Sequence, residues 1–314
     1  MDSVDERATP VATNAGLAVP GSMTITKTSP RKPTGAGGSR LRRFARSLGP
    51  TGYIAVAFLL LLVGIAVFAP LVAPYDPGYQ DVRAALSGPS SAHWFGTDQL
   101  GRDIFSRIVY GSRPTLQIGL ASSALAAVFG VAIGILGGFY SSWLDSAIMR
   151  LMDLLLGIPA ILLAMTIIAI AGRSAVALIS AIAIVGVPVY ARLARAGTMQ
   201  VRSLDYVKAA RVSGAGDRYL MGRVILPNIL GSLLVQVNVF TSVAILIEAS
   251  LSFLGLGLPP PSPTWGGLLL DSKTYLTQVP TYGLFTGLTL TATILAIDTV
   301  ARANRRYRRV AQTT

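Results

Sequence analysis

The sequence contains no cysteine and a single histidine, His93. The first absence excludes disulfides, thiolate metal ligands and cysteine nucleophiles. The second leaves no set of imidazoles from which to build an internal zinc site. Charge is also scarce. Only 13% of the 314 residues are charged, against roughly a quarter in soluble domains. No Gly-x-x-x-x-Gly-Lys-Ser/Thr loop occurs, so the chain has no phosphate-cradling module of that type. No nucleophile and base stand in a recognisable constellation, and the chain is read as not an enzyme.

What is abundant is apolar surface. Hydrophobic residues make up 52% of the chain, and the mean hydropathy is +0.58. A membrane-crossing helix needs about 20 mostly apolar residues. Six stretches meet that need, at about residues 52–72, 114–139, 147–171, 175–196, 229–256 and 283–300. The expected fold is therefore an all-α membrane protein with six transmembrane helices. Gly130, Gly134, Gly137 and Gly138 give the second span faces for close helix approach. The third and fourth spans are joined only by Gly172, Arg173 and Ser174, which predicts a helical hairpin.

The net charge of +13 resembles that of a nucleic-acid-binding protein, but the position of the charge decides against it. Of the 27 Lys and Arg residues, 21 fall in the two tails, the 140–150 turn and the 192–227 loop. Only six fall in the intervening segments. Basic residues favour the cytoplasmic side, so both termini and the long loop are expected inside. Residues 1–48 are expected to form a disordered basic cytoplasmic tail, 49–303 the transmembrane domain, and 304–314 a second basic cytoplasmic tail. The run Arg40-Leu41-Arg42-Arg43 beside the first span suits anionic lipid headgroups.

The cytoplasmic loop, about residues 198–227, holds the most informative segment. Asp205-Tyr206-Val207-Lys208-Ala209-Ala210-Arg211-Val212-Ser213-Gly214 reads as a short helix. Ser203 is its expected N-cap, Asp205 suits the first turn, and Gly214 is a left-handed terminator. Asp217 is expected to cap a second helix, Arg218 to Leu226, that Pro227 ends. Ala209 and Ala210 leave the backbone close to any partner, with Tyr206 and Val207 as apolar anchors. The residues alone leave two readings equal: a helix inserted into a partner's groove, or an ordinary solvated loop.

The segment resembles the motif of binding-protein-dependent ABC importer permeases, Glu-Ala-Ala-x-x-x-Gly-(nine)-Ile-x-Leu-Pro. The matching residues are Ala209, Ala210, Gly214, Leu226 and Pro227, with Val224 in place of the isoleucine. Lys208 stands where the motif has glutamate and reverses its charge, so contacts implied for that glutamate are not carried over. Further stretches are similar to the second permease subunit of the dipeptide/oligopeptide/nickel group. They are His93-Trp94-Phe95-Gly96-Thr97-Asp98-Gln99-Leu100-Gly101-Arg102-Asp103-Ile104-Phe105-Ser106-Arg107, Glu248-Ala249-Ser250-Leu251-Ser252-Phe253-Leu254-Gly255-Leu256-Gly257, and Pro259-Pro260 followed by Ser262-Pro263 and Trp265-Gly266. The resemblance covers about residues 50–285; the Arg-rich C-terminus departs from the family's usual ending.

The resemblance implies a type I ABC importer permease fold and a set of partners. These are a second homologous permease, two ABC ATPase subunits that carry ATP and Mg, and an extracytoplasmic substrate-binding protein that delivers peptides. The chain itself is expected to bind no cofactor, no metal and no nucleic acid. Nickel, haem and other small solutes are alternative cargoes within the same family. A stand-alone secondary transporter and a membrane-anchored scaffold are the readings outside it.

Several charged residues keep two readings. Glu248, in the fifth span, either lines the pathway or meets a partner subunit, or else sits solvated at the interface. Asp98, Arg102, Asp103 and Arg107 either form an outer-face docking surface or pair with one another at i,i+4 spacing on a solvated helix. Asp153 has Arg150 one turn away, and Asp298 has Arg302, as neutralising partners.

Overall fold

The computed structural model describes residues 38–140 and 143–313, without the side chains of 38–48, Leu144 and 305–313. Residues 1–37 of the expected tail 1–48 lie outside the described residues, and 38–48 are helical. Helix α1 (Gly38–Val67) begins before the apolar span and is kinked at Gly49, whose backbone is left-handed (φ +62°), next to Pro50. A one-turn helix, α2 (Ala69–Val72), follows. The segment that follows makes a 3₁₀ turn at Val82–Ala84 before α3 (Ile104–Tyr140).

α3 starts ten residues earlier than the sequence pattern predicts. The Asp103 carboxylate accepts the Ser106 N–H (2.7 Å) and caps the helix, and Pro114 lies inside it. The third expected span is not one rod. α4 (Trp143–Gly157) and α5 (Ala160–Ala171) meet at a bend of 94°. Pro159 is the cause: it disfavours helical backbone at Ile158 and lacks the N–H that would continue the ladder.

α6 (Ala175–Arg202) is capped by Ser174, whose hydroxyl accepts the Ala177 N–H (3.1 Å). α7 (Asp205–Val212), α8 (Asp217–Tyr219), a π-helical segment (Leu220–Ile225) and α9 (Leu226–Phe253) follow. α10 (Trp265–Lys273), absent from the six-span expectation, is capped by Thr264 through the Gly267 N–H (3.1 Å). α11 (Pro280–Thr313) closes the chain. By length and composition five of the described helices suffice to cross a membrane, or six where the bent α4–α5 pair is counted as one span.

The bundle is organised around the α3–α6 pair. A Cβ at Gly130 would fall 2.6 Å from the Val187 carbonyl and one at Gly138 2.8 Å from the Arg195 carbonyl, while Gly134 lies against Ala191 and Ala194. Glycines four residues apart therefore let the two backbones approach, as the small-residue pattern predicts. Three apolar cores result. One contains Ile182, Tyr190 and Phe240, a second Ile104, Trp265 and Tyr282, and a third Phe139, Val201, Val207 and Leu220. The third core underlies the long loop.

Candidate functional site: the α6–α9 elbow

α7 is an amphipathic helix lying between two spanning helices. Val207 is its inward residue, 2% exposed, and it joins Phe139, Leu220 and Ile225 in the third core. Ala210 packs partly against the same cluster. Tyr206, Ala209 and Val212 point outward, with Val212 89% exposed. The four expected contact residues thus divide. Val207 and Ala210 seat the helix on its own chain; Tyr206 and Ala209 face solvent.

Its ends differ in chemistry. Ser203 does not cap α7; it terminates α6, its hydroxyl donating to the Gln200 carbonyl (2.8 Å), and Leu204 occupies the N-cap position without a side-chain hydrogen bond. The C-terminus follows the expectation. Gly214 is left-handed (φ +87°), its N–H donates to the Arg211 carbonyl (3.0 Å), and the Ala215 N–H donates to Ala210 (3.0 Å). This pair of reverse bonds satisfies helix-end carbonyls and turns the chain sharply.

Asp217 is the first residue of α8, not its cap, since Gly216 holds that place. Nor does the helix end at Pro227. It continues unbroken from Asp217 to Phe253. The π-helical turn immediately before Leu226 and Pro227 puts the proline in the first turn of α9, where its missing N–H costs little. The elbow is therefore coupled to α9 by continuous helix.

Lys208 is accounted for locally. Its Nζ lies 3.0 Å from the Asp205 carboxylate, in an exposed pair on α7 itself. Arg211 stands over the Phe139 ring at 4.9 Å, and Arg202 faces the same ring at 6.0 Å. Between α6 and α7 lies a hollow of about 490 Å³, lined by Met199, Arg202, Val207, Lys208 and Val212 among others. Sequence reasoning missed the brace behind it: Arg195 on α6 grips Asp145 on α4 through two hydrogen bonds (2.7 and 2.6 Å). Fifty positions separate the partners, so no local spacing announces the pair.

The other singled-out residues are placed differently. Glu248 is wholly buried, not solvated at an interface. Ser252 donates to its Oε1 (2.8 Å), and Thr264 lies beside the carboxyl. α10 reaches this point because Gly266 has no side chain; a Cβ there would meet the Ala249 carbonyl at 2.5 Å. Asp98, Asp103 and Arg107 are also buried, so they form no exposed docking face. Asp98 does pair with Arg102 (2.7 Å), but Asp103 pairs with His93 (3.0 Å) instead of Arg107. Arg107 binds Asp98, the Tyr282 hydroxyl (3.1 Å) and Asp271 (3.4 Å), tying the loop before α3, and α3 itself, to α10 and α11. Asp153 pairs with Arg192 (2.6 Å), not Arg150, because α6 passes closer than the next turn of α4. Asp298 and Arg302 pair as expected (2.8 Å).

Residues 130–309 match the family described as the binding-protein-dependent transport system inner membrane component. The chain belongs to that family. Residues 40–89 also match the N-terminal transmembrane domain of oligopeptide transport permease C. The permease is 41% identical over 261 residues to a glutathione transport system permease protein of Pectobacterium atrosepticum, covering 82% of this chain and 85% of the relative. It is 42% identical to a di/tripeptide transport system permease protein of Pseudomonas aeruginosa, covering 81% and 86%. A dipeptide transport system permease protein of Alkalihalophilus pseudofirmus is 39% identical over 81% and 82%. In fold the permease resembles a chain of the MetNI methionine ABC transporter, with a TM-score of 0.52 and 18% identity over 64% of this chain and 97% of that one. It is thus a multi-pass inner-membrane transport permease, which is not an enzyme family.

Proposed function

We propose that this permease is one of two homologous membrane subunits of an ATP-driven importer of short peptides, and that α7 is its contact with an ATPase subunit. The observation that carries the reading is the division of α7 into two faces. Val207 fastens one face to the core beneath, while Tyr206, Ala209 and Val212 leave the other face apolar and uncovered. A small alanine between larger apolar side chains suits a helix seated in a partner's groove. The hollow beside it accepts a side chain from that partner.

Motion of the ATPase is passed on through rigid parts. α6 enters the elbow, and α8, the π turn and α9 leave it as continuous helix, so displacing α7 displaces both spans. A pair of ATPase subunits closing on ATP and Mg would in this way switch access across the membrane. A substrate-binding protein delivers the solute from outside, and both termini lie in the cytoplasm. The names of the relatives support peptides as the cargo. Small tripeptides such as glutathione fall in the same class.

Replacing Ala209 with Trp tests the coupling. Uptake of a labelled dipeptide should fall at least tenfold while membrane insertion and abundance stay normal. Undiminished uptake in that variant refutes the role given to α7. Failure of the wild-type system to take up any di- or tripeptide refutes the cargo alone.

A further inference from the structure

A groove of about 330 Å³ runs between α1, α3 and α11 and shares no lining residue with the hollow beside α7. Its rims, Leu61 and Leu288, are 61% and 55% exposed, so it opens on the outside of the bundle. Trp265 forms its floor. Two hydroxyls line it, and both are already satisfied within their own helices. Ser112 donates to the Val109 carbonyl (2.6 Å) and Thr289 to the Phe285 carbonyl (2.8 Å). Nothing in the lining calls for a polar ligand, and an apolar cavity does not retain water.

A cation stands next along the chain from the lining residue Ser112 and binds carbonyls that follow the lining residue Ile65. Arg113 follows Ser112 in α3, and its guanidinium donates to the carbonyls of Ala66 and Val67, the latter at 2.8 Å. Those carbonyls belong to the last turn of α1, the turn that follows Ile65 of the groove wall and ends the apolar span. Among the described residues no carboxylate pairs with Arg113, and Tyr110 is its aromatic neighbour (5.6 Å). An unneutralised guanidinium and a tyrosine at the boundary of an apolar span match the headgroup level of a bilayer.

We propose that this groove is a phospholipid site. One acyl chain lies between α1, α3 and α11, and the lipid phosphate is met by Arg113. A lipid seated there would fill the space beside α1, whose outward face (Ile54, Leu60 and Val63) is exposed. Charge complementarity selects this occupant over an apolar partner helix, which would leave the Arg113 charge without a counter-ion at the boundary.

The tryptophans make the site testable. Of the three, Trp94 and Trp143 are exposed, so a W94F/W143F chain leaves Trp265 as the sole emitter. Reconstituted in dibrominated phosphatidylcholine, it should lose more than half its emission relative to ordinary phosphatidylcholine. Ala292→Phe, which fills the groove from a half-buried position, should restore most of it. Native mass spectrometry of the full transporter should show a retained phospholipid that Arg113→Gln releases without loss of any subunit. Equal quenching with and without Ala292→Phe would overturn the proposal. So would quenching of the isolated chain combined with no retained lipid in the full transporter, which would assign the groove to a partner subunit.

Discussion

Gly214 concentrates the geometry of the elbow in one residue. A Cβ there would meet nothing within 4 Å, so its requirement is conformational and not steric. A β-branched residue held at φ +87° costs about 1–2 kcal/mol, and asparagine tolerates that region best after glycine. Gly214→Val should therefore cut uptake severely, and Gly214→Asn should keep most of it, at equal abundance in the membrane. Val207 is the second point of control. Its full burial is worth roughly 1.5–3 kcal/mol. Val207→Asp should detach α7 and expose it to limited proteolysis near residue 205 in membranes where the parent chain resists cleavage. Lys208 differs from both, because its ion pair is on the surface and exposed pairs contribute about 0–1 kcal/mol. Lys208→Ala should leave the fold and insertion unchanged, so any loss of uptake reports on the partner.

The same residues show what a reader of sequence could and could not see. Gly214 and the acidic first turn of α7 were legible because their effects act over one helical turn. Ser203 and Pro227 misled for the same reason. Each carries a local signal, but Ser203 was taken by the end of α6, and a π turn absorbed Pro227 into a continuous helix. The inward turn of Val207 was not legible either, since Tyr206 and Val207 are equally apolar and only the tertiary core chooses between them.

At the scale of elements, the small-residue register of α3 decides where α6 lies, and α6 decides where α7 begins. Gly134→Leu should force the helices apart, since Ala191 and Ala194 already occupy that space. Overpacking of this kind costs about 1–3 kcal/mol, read as a lowered unfolding temperature in detergent. The Asp145–Arg195 pair fixes the near half of the bent span to α6. Asp145 is buried and Arg195 about a third exposed, so removing the carboxylate costs less than the ~3 kcal/mol of a fully buried pair and more than the ~1 kcal/mol of an exposed one. Asp145→Ala should lower stability more than Asp153→Ala, because the Asp153–Arg192 pair is more than half exposed on both sides. The six apolar stretches and the glycine stripe were readable from composition and period. α10 and the buried ion cluster around Arg107 were not, because each depends on residues brought together from distant segments, while the bend has a local cause, Pro159, that the continuous apolar run concealed.

For the whole molecule, the absence of cysteine turns a compositional fact into an instrument. Any single cysteine introduced is the only thiol in the chain. The central claim is that the outer face of α7 rests against an ATPase subunit. The direct measurement is to place a benzophenone maleimide on Ala209→Cys in the full transporter, irradiate it, and identify the adduct by mass. The account predicts a covalent adduct with an ATP-hydrolysing subunit, in a yield that changes when ATP and Mg are added. Attachment only to lipid or water, at a yield indifferent to nucleotide, would contradict it.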